Sequence, residues 1–246
     1  FEAKFAERHN RKHGIAVSNG TAALQCAVDA LDLDPDDEVI VPTFTIIACV
    51  NAVIRSGAKP VLVDCDSKTF NSTPEQIEAA ITPRTKAIML VHIYGLPVDC
   101  DPILNLAQKH GIKVIEDAAE VIGLDYKDRP CGSIGDMSTV SFYPNKHITT
   151  GEGGMILTDD RDARDWLRRS RHDGRGCMWY DQLDNNTVPT LGWHMYMTPE
   201  QAVRGVEQFY KTPHVNKDGG SSDDYKLDLS TLSCFRSQIE CGHVTG

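Results

Sequence analysis

Short β-branched runs alternate with segments of helical period along most of the 246 residues. Glu38 to Pro42, Pro60 to Asp64, Ala87 to His92, Lys113 to Glu116, Thr139 to Phe142 and Met155 to Thr158 are each brief and nearly all apolar. That pattern predicts strands covered on both faces. Helix signals fall between them. Thr73-Pro74-Glu75-Gln76 is a capping box with proline at the first helical position, and Thr198-Pro199-Glu200-Gln201 repeats the device ahead of a helix to about Tyr210. Asp101 to His110 sets Ile103, Leu104 and Ala107 on one face and is closed by Gly111. Asp160 to Arg169 reads as a strongly charged helix. Strands alternating with helices predict an α/β fold, a three-layer α/β/α sandwich around a mostly parallel sheet. Beyond Lys211 the texture changes. Residues 212–246 carry a Gly-Gly-Ser-Ser-Asp-Asp stretch and few apolar periods, as in an extended or partly disordered tail. The expected organisation is a large domain over 1–197, then a connecting helix and remnant tail over 198–246.

Composition narrows the function classes. Hydrophobic residues make up 41% and charged residues 24% of the chain, ordinary for a soluble protein able to bury a large core. A net charge of −10 argues against a nucleic-acid or membrane-surface role. No apolar run approaches a membrane span, and Phe1 opens into a charged helical pattern, so a cytoplasmic location is expected. Eight cysteines are scattered without a CxxC pair, as small apolar residues in a reducing compartment. His92, His147, His172 and His194 show no helical i, i+4 pairing beside a carboxylate, so no metal site is expected. Arg164, Arg168, Arg169, Arg171 and Arg175 read as a solvated face or, alternatively, as part of a dimer edge or a diphosphate contact.

Three features carry candidate chemistry. Ser18-Asn19-Gly20-Thr21 follows the apolar segment Gly14 to Val17 and leads into an apolar helix, Ala22 to Leu31. Exposed N–H groups and the positive end of the helix dipole there suit an anion, although the same composition serves as a plain cap. Asp117 stands where the strand Lys113 to Glu116 runs out, the edge at which α/β sheets present ligand-binding groups. A carboxylate there can keep a pyridine nitrogen protonated; it can equally cap a turn. Glu116 is expected to face away from such a site. Lys146 lies between the strand Thr139 to Phe142 and the turn Thr149-Thr150-Gly151-Glu152-Gly153-Gly154. The turn would let a planar cofactor approach the backbone closely. A lysine amine beside a protonated ring is nucleophilic, whereas an isolated surface lysine is merely solvated.

The segments SNGTAAL, VIVPTFTIIACVNAV, PVLVDCD, MLVHIYGLPVD, VIEDAAEVIG and SFYPNKHITTGEGGMILTDD occur in that order. With them the chain resembles the DegT/DnrJ/EryC1/StrS family of sugar aminotransferases, of the aspartate aminotransferase fold. The resemblance implies pyridoxal 5'-phosphate (PLP) as cofactor. Lys146 would bind it covalently and move the substrate proton, and Asp117 would hold its ring nitrogen. Gly20, Thr21 and Ser141 would take its phosphate, Phe44 would lie against the ring, and Glu120 and Asn145 would stand beside it. His194, in Gly192-Trp193-His194-Met195-Tyr196-Met197, replaces the family's Asn that reaches the neighbouring subunit's cofactor. The implied substrates are a nucleotide-linked keto-sugar, with a 4-keto-6-deoxy sugar expected, and an amino acid, with glutamate expected; the implied assembly is a homodimer. Relative to the family the chain reads as truncated at both ends. Three alternatives stay open: a PLP-dependent sugar dehydratase, an aminotransferase for a non-sugar ketone, and a catalytically silent member that binds or regulates.

Overall fold

The structure is a computed structural model and describes residues 1–175 and 188–211. The tail expected over 212–246 lies outside the described residues, as do Cys177 and Trp179. Seven strands, β1 (His13–Val17), β2 (Glu38–Pro42), β3 (Lys59–Val63), β4 (Thr85–Val91), β5 (Lys113–Asp117), β8 (Met137–Ser141) and β9 (Gly154–Thr158), form one sheet. Their spatial order is β1-β9-β8-β5-β4-β2-β3. The pairs from β8 across to β3 are parallel, and β9 is inserted antiparallel between β8 and β1. A small hairpin of β6 (Asp125–Tyr126) and β7 (Arg129–Pro130) stands apart. The three-layer α/β/α architecture with a mostly parallel sheet is the one the pattern predicts.

Both faces of the sheet are covered, and the side-chain alternation of each strand feeds two separate cores. On β4, Ile88 and Leu90 enter one core and Ala87, Met89 and Val91 the other; on β9, Met155 and Leu157 oppose Ile156. The first core packs against α1 (Glu2–Arg8), α4 (Pro74–Ala80) and α5 (Cys100–His110). The second packs against α2 (Gly20–Asp29), α3 (Ile47–Arg55) and α6 (Arg161–Ser170).

Local signals set most helix ends. Thr73 accepts from the Gln76 N–H and Gln76 answers at the Thr73 N–H, completing the box that opens α4. Gly111 closes α5 with φ 66°, a left-handed conformation that a side chain would strain. Asp160 caps α6 through the Asp162 and Ala163 N–H groups. The helix expected after Thr198 is α7 (Pro199–Lys211), and it packs back onto α1. Phe209 approaches Phe5 at 6.2 Å, the Arg8 guanidinium lies over the Phe209 ring, and Gly205 meets Phe1. α1 and α7 accordingly belong to one compact unit.

Candidate active site

The parallel strands deliver their carboxyl ends to one edge of the sheet, and most of the sequence-named residues collect there. Asp117 is the last residue of β5 and is fully within the protein, on the α2/α3 face. Its Oδ1 accepts from the Ala119 N–H at 3.0 Å and its Oδ2 from the Cys49 thiol at 3.4 Å. Burial pushes its carboxyl above the usual range, opposed by the Ala119 and Cys49 hydrogens and by the Lys146 charge. An acid in that setting is charged only as far as neighbouring donors allow.

Lys146 is carried by the loop that follows β8. Its Nζ lies 3.3 Å from Glu120 Oε1, and the two side chains are only 16% and 22% exposed, so the amine is held largely out of water. Glu120 is fixed from its other oxygen by the Tyr94 N–H at 2.8 Å. The Phe44 ring stands edge-on to Tyr94 at 5.9 Å and tilted against Phe70 at 5.1 Å. Phe44 is 37% exposed.

The Ser18–Thr21 turn lies across the same edge. Asn19 caps α2 by accepting from the Ala22 N–H at 2.8 Å, leaving the Gly20 and Thr21 N–H groups without an intrahelical acceptor. Two close backbone approaches shape this turn. A Cβ on Gly20 would sit 2.7 Å from the Ser141 Cβ, and one on Gly154 would run into the Asn19 carbonyl. Neither position accepts a side chain without displacing β8 or β9, so glycine is what brings the helix start onto the strand ends.

The residues fit an amine-binding, anion-bearing planar cofactor on three counts. The donor set joins one sequestered amine, one buried acid and a bare helix start. The Thr139 hydroxyl, paired in register with Asp117, and the Asn145 carbonyl oxygen are buried without a partner among the described residues. Buried polar atoms of that kind call for a ligand.

His194 is placed elsewhere. The segment 192–197 passes the end of β1, where the Met195 carbonyl accepts from the Ser18 N–H at 3.0 Å, but the His194 ring is 76% exposed and faces Asp173 at 3.4 Å. It makes no contact with Lys146 or Asp117.

Three features here lie outside the sequence reading. Cys49 reaches Asp117 from α3, a helix whose apolar start, Ile46-Ile47, reads equally as strand. Its N-cap Ile46 makes no side-chain cap, so no start signal exists. Tyr94 holds Glu120 through a backbone N–H, which no sequence pattern marks. Glu116 does face away from Asp117, as expected, and is the hub of a buried network on the other face. It accepts from His92 Nε2 at 3.0 Å and from the N–H groups of Gly132, Ile134 and Gly135 at 2.5, 2.8 and 3.3 Å, with Ser138 Oγ at 3.1 Å. His92, Glu116 and Cys131 cluster closely enough for a metal ion. However, His92 Nδ1 accepts from the Val98 N–H at 3.0 Å, so both ring nitrogens and both carboxylate oxygens already have partners.

The model of the DegT/DnrJ/EryC1/StrS aminotransferase family matches residues 1–220. GDP-perosamine synthase of Caulobacter vibrioides is 49% identical over 208 residues, covering 85% of this chain and 55% of that protein. UDP-N-acetyl-3-dehydro-alpha-D-glucosamine 3-aminotransferase of Acidithiobacillus ferrooxidans is 49% identical over 203 residues, covering 82% and 53%. A Streptococcus pneumoniae protein solved in its PLP form superposes with a TM-score of 0.79 at 27% identity, over 86% of this chain and 58% of that one. The chain spans a little over half the length of these relatives.

Proposed function

We propose, from the premise that the chain belongs to the DegT/DnrJ/EryC1/StrS aminotransferase family, that it carries the cofactor-binding half of a PLP-dependent sugar aminotransferase. The substrate is a nucleotide-linked keto-sugar, read as a 4-keto-6-deoxy sugar, and the amino donor is an amino acid, read as glutamate. Relatives named for GDP- and UDP-sugars support the substrate class. The observation that carries the reading is the pairing at one strand edge of a sequestered amine, Lys146, with a buried acid, Asp117.

When bound, PLP supplies an electron sink for breaking a bond at the amino-bearing carbon. The chain's own residues do the rest. The Gly20 and Thr21 N–H groups and the Ser141 hydroxyl hold the phosphate at the start of α2. Asp117 would hold the protonated ring nitrogen, and Phe44 would lie against the ring. Asn145 stands beside it with an unused carbonyl oxygen. Lys146 Nζ would bind the cofactor and move the proton at the reacting carbon, with Glu120, itself held by the Tyr94 N–H, keeping that amine in place.

A homodimer fits the flank of this edge. Ile46 and Ile47 are 63% and 64% exposed beside Phe44, an apolar surface that a second copy would cover. His194, exposed beside Asp173, is read as the residue that reaches the partner's cofactor. Among the described residues no helix is long and apolar enough to cross a membrane, in keeping with a cytoplasmic enzyme.

The test is the visible absorbance of the folded protein with added PLP. A band is expected that Lys146→Ala abolishes while the variant stays folded. A folded wild-type protein that shows no band with PLP in excess would overturn the proposal, and amination of GDP- against UDP-keto-sugars then assigns the nucleotide.

A further inference from the structure

Cys49 stands in the first turn of α3 with its sulfur 3.4 Å from Asp117 Oδ2. One turn earlier the Thr45 hydroxyl donates to the same sulfur at 3.2 Å. Since the sulfur already accepts from Thr45, its own hydrogen is the one left to point at the carboxylate. Burial, with Asp117 beside it, pushes the thiol well above its ordinary value, so the group stays a protonated donor wherever the protein is folded.

Asp117 has few other sources of charge stabilisation. The groups that face it are Cys49 from α3, Thr139 from β8, Ala119 and Glu120 from the turn after β5, and Lys146 from the loop after β8. Glu120 repels a second negative charge. Lys146 attracts it but is already engaged by Glu120. On the Oδ2 side the thiol is the donor that the fold supplies.

We propose that Cys49 is a positioning residue whose thiol, aligned by the Thr45 hydroxyl, holds the Asp117 carboxylate ionised and turned toward the place of a ring nitrogen. The ionisation half of this inference concerns the chain alone; only the ring nitrogen rests on the functional reading above.

The experiment titrates Asp117 directly. The full chain without cofactor, labelled with ¹³Cγ aspartate, is followed by NMR against pH, and Asp117→Asn identifies the resonance. Cys49→Ala is expected to raise the Asp117 midpoint by about one pH unit, the worth of one hydrogen bond to a charged group. Cys49→Ser keeps a donor of similar size and is expected to restore the wild-type midpoint. Should the alanine cavity prevent folding, Cys49→Val fills the volume without a donor and is expected to shift the midpoint as far as alanine. A midpoint unchanged by loss of the donor, or moved as far by serine as by alanine or valine, overturns the inference. With PLP added, the pH dependence of the absorbance band should follow the same order. A wild-type protein with no band would remove the functional reading and leave the titration to decide this one.

Discussion

Replacing Glu116 with glutamine exchanges an acceptor of several hydrogens for an isosteric group with only one accepting oxygen. The amide nitrogen only donates, and it must face one side of the network. Turned toward the site of Oε1, it meets His92 Nε2–H and the Gly132 N–H; turned toward Oε2, it meets the N–H groups of Ile134 and Gly135. His92 cannot answer by moving its proton, because Nδ1 is held as acceptor by Val98. Either orientation leaves two buried donors unmatched, at about 1–3 kcal/mol each, or roughly 4 kcal/mol together. Against a domain stability of about 5–15 kcal/mol that is severe, and a fall of roughly 1–2 M in the urea midpoint is expected. The effect must also depend on pH. Burial opposes ionisation of Glu116, but His92 and the Gly132 and Ile134 N–H groups outweigh it and hold the carboxyl well below its ordinary 4.5. A depressed folded-state value means the contribution is present above 4.5 and is lost as pH falls toward the folded value. Urea unfolding followed by circular dichroism should therefore show a wide gap between wild type and Glu116→Gln at pH 7 that narrows below about pH 4.5. A variant within about 0.5 kcal/mol of wild type at pH 7, or a gap that does not change with pH, refutes the reasoning.

Gly20→Ala puts a Cβ 2.7 Å from the Ser141 Cβ, so α2 and β8 must separate. A stability loss of about 1–3 kcal/mol is expected, together with roughly tenfold or greater weakening of PLP binding in an absorbance titration; unaltered binding would contradict the phosphate assignment. His9 gives a second pH effect. Burial, only partly offset by its bond to the Phe5 carbonyl, pushes its ring down to about 4. A base whose folded value lies below its ordinary 6.5 is disfavoured once charged, so stability falls as pH drops from about 6.5 to about 4, by about 3 kcal/mol. His9→Phe keeps a ring against Phe5, where the stacked pair stands at 4.4 Å, and should flatten that part of the thermal-unfolding profile; an undiminished slope would place the titration in another group.

The elements were legible where local physics decides them. β2 occupies the residues its apolar run predicts, and β3, β4, β8 and β9 differ only at their ends, because strands buried on both faces leave a continuous apolar signature. Thr73, Gly111 and Asp160 marked helix ends through their own side chains or backbone freedom. α3 was not legible. Ile46 to Ile54 is as apolar as a buried strand, and only its place beside α2 makes it a helix with Ile46, Ile47 and Ile54 outward. With α3 hidden, the reach of Cys49 to Asp117 was hidden too. β1 showed only as the apolar segment Gly14 to Val17, and the antiparallel insertion of β9 was out of reach, since a strand's direction is a property of its partners. The chemical types at the sheet edge, an amine, an acid and a glycine turn, could be read in order along the chain. Their distances could not.

Glu116 and Asp117 show why adjacent acids in one strand carry opposite duties. Alternation sends them to opposite faces, so each meets a different set of donors. The first face offers three backbone N–H groups from one loop and an imidazole, and the acid there is committed to charge for the sake of the fold. The second offers one N–H and one thiol, and the acid there is left responsive. The two are also linked along the chain. The loop that Glu116 gathers, from Gly132 to Gly135, feeds directly into β8, whose Thr139 pairs with Asp117 and whose end presents Ser141 and then Lys146. Three strand steps, about 10 Å, separate Ser138 beside the structural acid from Ser141 beside Gly20. The structural carboxylate thus anchors one end of the strand whose other end leads to Lys146, and loosening Glu116 should blur the Lys146–Asp117 geometry without touching either side chain.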